Sequence, residues 1–274
     1  MNSLSNLRKP ALLPVLAGVL AVGTLAVWLL QAPDKPLRLR VPGTDAAPTG
    51  TGRPRANPAL TGVVTAGPGT VADALPGTWP QFRGPARNGR ITAPPLASTW
   101  SGGRPRELWS VEVGEGYAGP AVAGGRVFLM DYDRDAQRDT LRCLSLADGR
   151  EIWRFSYEVK IKRNHGMTRT VPAVSSNRVV AIGPKCHVIC CDVETGALQW
   201  TRDLVQEFGA TVPEWYTGQC PLIDGDRVIL APGGPDALLV AVRLTDGEVL
   251  WQTPNPRDWK MTHSSIMPME FNGS

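Results

Sequence analysis

Side chains that perform chemistry are scarce in this sequence, which has three His and five Cys among 274 residues. It contains no G-x-S-x-G turn, no Gly-rich phosphate loop and no paired carboxylates of the kind that general acid–base catalysis uses. The cysteines lack the paired spacing of a zinc site. We therefore predict no catalytic residue and no metal ligand. The odd number of cysteines also predicts an unpaired thiol.

An excess of charge is also lacking from most of the chain. Lys and Arg outnumber Asp and Glu by 29 to 25, and the whole excess lies in the first 78 residues, which leaves 22 of each sign in residues 79–274. A region without formal net charge has no electrostatic reason to bind polyanions. We expect no nucleic-acid partner.

The N-terminus has one long uncharged stretch. Residues 11–30 carry no charge and follow Arg8 and Lys9. At about 1.5 Å per residue they would span a ~30 Å hydrocarbon core. We expect a cytoplasmic segment at residues 1–10, a retained transmembrane signal anchor at residues 11–30, and a single-pass protein of the inner membrane with its remainder on the periplasmic side. The alternative is a signal peptide whose cleavage releases a secreted product.

Residues 31–78 differ in composition from the C-terminal part of the chain. They are rich in Pro, Gly, Thr and Ala and contain no aromatic residue. A segment of this kind cannot bury enough apolar surface to offset the entropy of ordering it. We predict a disordered linker here. Residues 79–106 are predicted to be a separate segment that precedes the repeats described next.

Tryptophan recurs after the linker with a period in the 40s. Trp109, Trp153, Trp200 and Trp251 follow one another at intervals of 44, 47 and 51 residues. Between them lie short β-branched runs separated by Gly, Asn and Asp turns, four runs to a unit. Such a period, built of short strands, is typical of a β-propeller. We predict an all-β fold of four-stranded blades.

Two further positions recur in each unit. A Gly stands four residues before the Trp, at Gly149, Gly196 and Gly247, and a small residue stands ten before it, at Cys143, Cys190 and Ala241. This spacing resembles the tryptophan-docking motif of the quinoprotein propellers, Ala-x-Asp-x-x-x-Gly-x-x-x-Trp. The match is partial, because the Asp is kept at Asp192 but replaced by Ser145 and Arg243.

The resemblance extends from Trp79 to the C-terminus. The stretches WPQFRGPARNG, VGEGYAGPAVAGGRVF and EFGATVPEW are similar to the quinoprotein-like (PQQ-repeat) β-propellers of planctomycete type. These are related to the outer-membrane assembly lipoprotein propeller and to alcohol dehydrogenases that use pyrroloquinoline quinone. The resemblance implies a fold and not an activity. Pyrroloquinoline quinone with calcium is implied only if the chain is a dehydrogenase.

The repeats do not complete a ring. Residues 107–274 hold about three blades and the start of a fourth, whereas closed propellers have 4–8 blades. Residues 107–113, with Trp109, are expected to form a last strand of a blade whose other strands are missing. We expect a fragment of a longer propeller, the alternative being completion by another chain.

Four residues are candidates for a binding rim. Trp215 and Tyr216 form an amphipathic pair in a long loop before the third blade, and His165 and His263 occupy loops before the second and the fourth. Aromatic pairs of this kind are enriched in recognition surfaces. We expect a non-catalytic binding or scaffold module for an unidentified protein or ligand on the extracytoplasmic side, without a cofactor. The alternative is a partial quinone-dependent dehydrogenase.

Overall fold

The structure, a computed structural model, describes residues 12–31, 56–71, 78–91, 97–163 and 166–269. The chain divides into two compact units, Met1–Val41 and Pro42–Ser274. The described part of the first unit is one helix, α1 (Leu12–Leu30). The second unit contains the sheets and one short helix, α2 (Leu204–Phe208).

Helix α1 corrects the prediction of a transmembrane anchor at residues 11–30. In the described part of the chain, no helix combines the length and the apolar character needed to cross a membrane. The predicted anchor, and the single-pass placement in the inner membrane that depended on it, are therefore wrong. Residues 1–10 lie outside the described residues.

Three antiparallel sheets form the body of the second unit, one for each predicted repeat. The first strand is β1 (Val63–Ala66). The first blade contains β2 (Ala121–Ala123), β3 (Arg126–Asp133), β4 (Arg138–Ser145) and β5 (Glu151–Glu158), and the second contains β6 (Ala173–Ser175), β7 (Arg178–Ile182), β8 (His187–Asp192) and β9 (Leu198–Asp203). The third blade contains β10 (Leu222–Asp224), β11 (Arg227–Leu230), β12 (Val240–Arg243) and β13 (Val249–Gln252). The predicted grouping of four antiparallel strands per repeat is found in every blade.

Strand β1 lies within the segment that we predicted to be a disordered linker. It pairs antiparallel with β5, from Val63 opposite Ser156 to Ala66 opposite Trp153. A 3-10 helix at Pro58–Thr61 precedes it and buries Ala59 completely. The outer edge of β5 offers unpaired N–H and C=O groups, and the chain satisfies them with its own strand. The linker prediction is therefore wrong for residues 56–71, whereas residues 32–55 and 72–77 lie outside the described residues.

Every blade has a bulge at the same place. The last two strands shift register after Cys143 in the first blade, Cys190 in the second and Ala241 in the third. Each of these small residues lies directly opposite a Trp: Cys143 opposite Trp153, Cys190 opposite Trp200, and Ala241 opposite Trp251. The small side chain leaves room for the indole across the strand pair, which explains the recurrence ten residues before each Trp.

Two expected strands do not form. Residues 107–113 run without strand pairing, so Trp109 reaches its position from an irregular segment. Residues 262–269, expected to begin a fourth blade, are also without a strand. They lie beside the third blade, where Ile266 packs on Leu222, Ile229 and Ala241. The local sequence is compatible with strands, but neither segment has a neighbouring strand in the described part of the chain to pair with.

Candidate functional site

The recurrent Trp residues join each blade to the next. The indole N–H of Trp109 donates to the carbonyl of Leu146 at 2.9 Å, that of Trp153 to Val193 at 3.0 Å, and that of Trp200 to Leu244 at 2.8 Å. Each ring lies on a glycine with positive φ, namely Gly149, Gly196 and Gly247. A Cβ there would come within 2.5–2.7 Å of the ring carbons, so only glycine allows this contact.

Trp251 differs from the preceding two. Trp153 is 2% exposed and Trp200 is 7% exposed, whereas Trp251 is 38% exposed. In the described part of the chain, no glycine turn lies against its ring. The docking positions therefore serve packing between blades, and binding has to be sought elsewhere.

Four loops gather at one end of the blades, and we call them the interblade face. They are residues 113–119, 159–171, 209–220 and 255–267, of which residues 164 and 165 lie outside the described residues. Because each blade is an antiparallel meander, the chain enters and leaves it at the same end. The turns within the strand pairs β2–β3 and β4–β5, and their equivalents, lie at the opposite end.

Two backbone hydrogen bonds and one ion pair connect the first two loops. Tyr117 N donates to Thr168 O at 2.7 Å, and Met167 N donates to Glu115 O at 3.0 Å. The Arg163 Nε atom lies 2.7 Å from Glu115 Oε2. The first loop is thereby aligned along the second.

The remaining loops are connected in the same manner. The hydroxyl of Tyr216 donates to the carbonyl of Lys162, which joins the third loop to the second. The backbone N–H of Cys220 donates to Ser265 Oγ at 3.0 Å, which joins the third loop to the fourth. The described residues of the four loops are therefore joined to one another by hydrogen bonds, which reduces the freedom that the loops would lose when a partner binds.

Aromatic side chains project from this face. Tyr117 is 71% exposed, Trp215 is 45% exposed and Trp259 is 53% exposed. The rings of Trp215 and His263 lie with centroids 6.2 Å apart. The guanidinium of Arg169 lies 5.4 Å from the ring centroid of Tyr117. These contacts orient the rings of Tyr117 and Trp215, and both side chains remain exposed in part.

The four residues proposed from the sequence have different places. Trp215 and His263 come together on the face through their ring contact. Tyr216 is only 8% exposed, and its φ of 65° turns it inward, so it supports the loops instead of forming the rim. His165 lies outside the described residues. Sequence reasoning missed Tyr117 and Trp259, although Tyr117 stands in the loop before the first blade as Trp215 does before the third.

A layer of buried polar residues lies between the first two blades, at the end of the strands that carries the interblade face. The Tyr157 hydroxyl donates to the Asp139 carboxyl, and the Tyr157 ring meets His187 edge-on at 5.6 Å between centroids. His187 Nε2 lies 3.8 Å from Asp203 Oδ2. In the described part of the chain, neither Asp139 Oδ1 nor His187 Nδ1 has a hydrogen-bond partner.

Burial controls the protonation of this layer. Desolvation raises the pKa of Asp139 to about 7, although the hydrogen bond from Tyr157 works against it. Desolvation lowers the pKa of His187 to about 4, and the nearby Asp203 carboxylate opposes that shift. Asp203 also caps helix α2, since it accepts from the backbone N–H groups of Val205 and Gln206. The layer therefore favours neutral Asp139 and neutral His187 inside the folded protein.

All five cysteines are buried and free. Desolvation raises the pKa of Cys143, Cys186 and Cys190 to about 12, so these thiols stay protonated near neutral pH. Cys190 and Cys191 are neighbours on β8 and point to opposite faces of the sheet. They form no disulfide with each other. The described residues contain no cluster of three His, Cys, Asp or Glu that could hold a metal ion.

An axial segment, residues 78–90, crosses the innermost strands of all three blades. Trp79 and Val122 on β2 exchange two backbone hydrogen bonds of 2.8 Å. Val174 N on β6 donates to Pro80 O at 2.8 Å, and the guanidinium of Arg87 donates to Ile223 O on β10. The segment thereby satisfies inner strand edges that would otherwise be open.

These features agree with the comparison with known families. The family profile described as outer membrane protein assembly factor BamB matches residues 137–270, which cover the second and third blades and most of the first. Residues 137–270 match this family of PQQ-repeat β-propellers. The narrower resemblance to propellers of planctomycete type stays a prediction. No curated protein matches the chain.

Solved PQQ-repeat propellers are similar to the chain over part of their length. BamB from Moraxella catarrhalis is 18% identical with a TM-score of 0.37, and the match covers 54% of this chain and 39% of that one. Quinohemoprotein alcohol dehydrogenase from Comamonas testosteroni is 18% identical with a TM-score of 0.44, and the match covers 64% of this chain and 26% of that one. The chain thus spans well under half the length of these PQQ-repeat proteins, and both likenesses are limited to the fold.

Proposed function

We propose that this PQQ-repeat propeller is a non-catalytic binding module whose interblade face takes hold of a protein. One observation carries the proposal: the exposed aromatic side chains of Tyr117 and Trp215 stand on loops that are joined to one another by hydrogen bonds. Rigid aromatic anchors on a preorganised surface lose little entropy on binding, which is why such residues dominate binding energies.

The chemistry beneath the face supports binding more than catalysis. Cys186, which contacts the third loop, shares a 3.0 Å hydrogen bond with Thr217 Oγ1, and burial raises the pKa of its thiol to about 12. His187 is held neutral and lies 3.8 Å from Asp203. Neither residue reaches solvent, so neither can meet a substrate at the surface.

The axial segment also supports a binding role. It bonds to β2, β6 and β10, so a planar cofactor at the axis would have to displace it. We propose that the chain works without a quinone; the positions of Cys190 and Cys191 on opposite faces of β8 support this, as does the lack of a metal-ligating cluster among the described residues. The family profile is that of an outer membrane protein assembly factor, which favours a protein as the partner.

Site-specific photocrosslinking in the producing cell tests the proposal. A photoreactive amino acid would replace Tyr117 or Trp215 on the interblade face, and Asp226 or Asp246 at the opposite end as matched controls. We expect one crosslinked partner from both positions on the face, lost when Trp259→Ala and His263→Ala are added, and no such product from the controls. Equal crosslinking from both ends, or none from the face, would refute a binding role for these loops.

A further inference from the structure

Charge is distributed unequally between the two ends of the propeller. The four loops of the interblade face contain six Lys or Arg against three Asp or Glu. The turns at the opposite end, residues 123–126, 146–150, 175–178, 193–197, 224–227 and 244–248, contain four Lys or Arg against six Asp or Glu. The four loops thus carry a formal charge of +3 (six minus three) and the six opposite turns one of −2 (four minus six), although residues 79–274 have no formal net charge.

The positive charge is concentrated in the second loop. Lys160, Lys162, Arg163 and Arg169 lie there without any acidic residue among residues 159–171. Arg163 is paired with Glu115 of the first loop. Lys160 and Lys162 are exposed, and within the described residues no carboxylate lies within ion-pair distance of either. Two positive charges are thus available to a partner.

The basic loop lies between the aromatic anchors. Tyr117 is joined to it through the hydrogen bond to Thr168 and the contact with Arg169. The loop that carries Trp215 is joined to it through the bond from Tyr216 to Lys162. Both aromatic loops are thus attached to the basic loop, one at Lys162 and the other at Thr168 and Arg169.

We propose that the partner of the interblade face is an acidic, extended polypeptide segment with apolar side chains that meet Tyr117 and Trp215. This rests on the proposed function and names the chemistry of the partner. Carboxylates of the segment face Lys160 and Lys162, and the charge complementarity fixes its direction and speeds its association. A nucleic acid or an anionic membrane needs a wider positive surface, which a net of three charges on four loops does not provide.

Fluorescence anisotropy with short labelled peptides tests the proposal on the full chain. The probe is a peptide of alternating Glu, Gly and Leu, and its counterpart has Lys in place of Glu. We expect saturable binding of the acidic probe that weakens as salt is added, and no saturable binding of the basic one. Equal binding of both peptides, or of neither, would overturn the proposal.

Matched variants locate the site. Lys160→Glu combined with Lys162→Glu should weaken binding of the acidic peptide by about tenfold or more, because two attractions become repulsions. Arg150→Glu combined with Arg227→Glu makes the same charge change at the opposite end and should alter binding less than about twofold. If both double variants weakened binding equally, binding would depend only on the overall charge of the protein, and this site would be refuted.

Two more measurements separate this inference from the proposed function. If Trp215→Ala abolishes photocrosslinking to the cellular partner while the lysine reversals leave that product intact, the binding face stands and the acidic partner is wrong. If single-stranded DNA or phosphatidylserine vesicles bind as tightly as the acidic peptide, the surface is a general polyanion site and the proposal also fails.

Discussion

The indole N–H of Trp153 donates a 3.0 Å hydrogen bond to the backbone carbonyl of Val193, which belongs to the following blade. The same ring covers Gly196, three residues further along that turn. One side chain thus joins two sheets through a polar bond and a large apolar contact. Trp200 repeats the arrangement, and Trp109 makes the same two contacts from a segment without strand pairing.

Truncation of Trp153 should destabilise the propeller strongly. Trp153→Ala removes a ring that is 2% exposed and leaves a cavity between two sheets, so we expect a loss of about 3–5 kcal/mol in the free energy of unfolding. Trp251→Ala is the matched control, since that ring is 38% exposed, and should cost less than about 1.5 kcal/mol. Urea unfolding measures both. Equal losses would mean that docking on the following blade contributes nothing.

Asp139 and His187 should give stability opposite dependences on pH. The pKa of Asp139 is raised from 3.8 to about 7, so the folded state keeps a proton that the unfolded state releases, and stability falls as pH rises from 4 to 7. The pKa of His187 is lowered from 6.5 to about 4, so here the unfolded state holds the extra proton, and stability rises between pH 4 and 6.5.

Single variants should separate these two slopes. In the unmodified protein they oppose each other between about pH 4.5 and 6.5. Asp139→Asn leaves the histidine slope, so its free energy of unfolding should rise with pH by on the order of 2 kcal/mol across this range. His187→Asn should show a fall of similar size. Urea unfolding at a series of pH values tests this, and parallel curves for the two variants would contradict it.

The axial segment should stabilise the inner strands. Arg87→Ala removes a partly buried donor to the carbonyl of Ile223, and we expect a cost of about 1–3 kcal/mol. Hydrogen exchange at residues 222–224 should rise as well. Arg90→Ala, an exposed residue of the same segment, is the control and should change neither quantity. Unchanged exchange in the Arg87 variant would show that β10 does not depend on this contact.

No quinone binding is expected from the purified chain. With calcium and pyrroloquinoline quinone added, equilibrium dialysis should show no saturable uptake, and dye-linked alcohol oxidation should stay at background. The reason is that Cys190 and Cys191 face opposite sides of β8 and the described residues offer no metal-ligating cluster. Stoichiometric binding with turnover would overturn the non-catalytic proposal.

The repeat could be predicted from the sequence because its signal is local. Gly196 and Trp200 lie four residues apart in one turn and strand, so their spacing survives in the sequence as a period. The reason for Cys190 became clear only from the pairing, which places it opposite Trp200. The structure thereby explains why residue 190 is small, which the sequence shows only as a recurring pattern.

Elements that depend on distant partners could not be predicted. Val63 pairs with Ser156, and Trp79 pairs with Val122, and no short-range pattern links these residues. Composition gave the wrong answer for β1, because Pro and Gly around it outweighed four strand-forming residues. The inward turn of Tyr216 was equally hidden, since its φ of 65° follows from the loop and not from the residue type.

Because tryptophan docking has a direction, the second blade has one side that carries a docking ring and another that carries the glycine on which a ring lies. The second blade receives a ring on Gly196 and passes one on to Gly247, so its two surfaces complement each other as well as their neighbours. A copy of this blade inserted beside the original would offer the same glycine turn and the same indole at its docking positions. Duplication of a repeat therefore preserves this contact between blades, whereas the contact of Tyr157 with His187 belongs to the first and second blades.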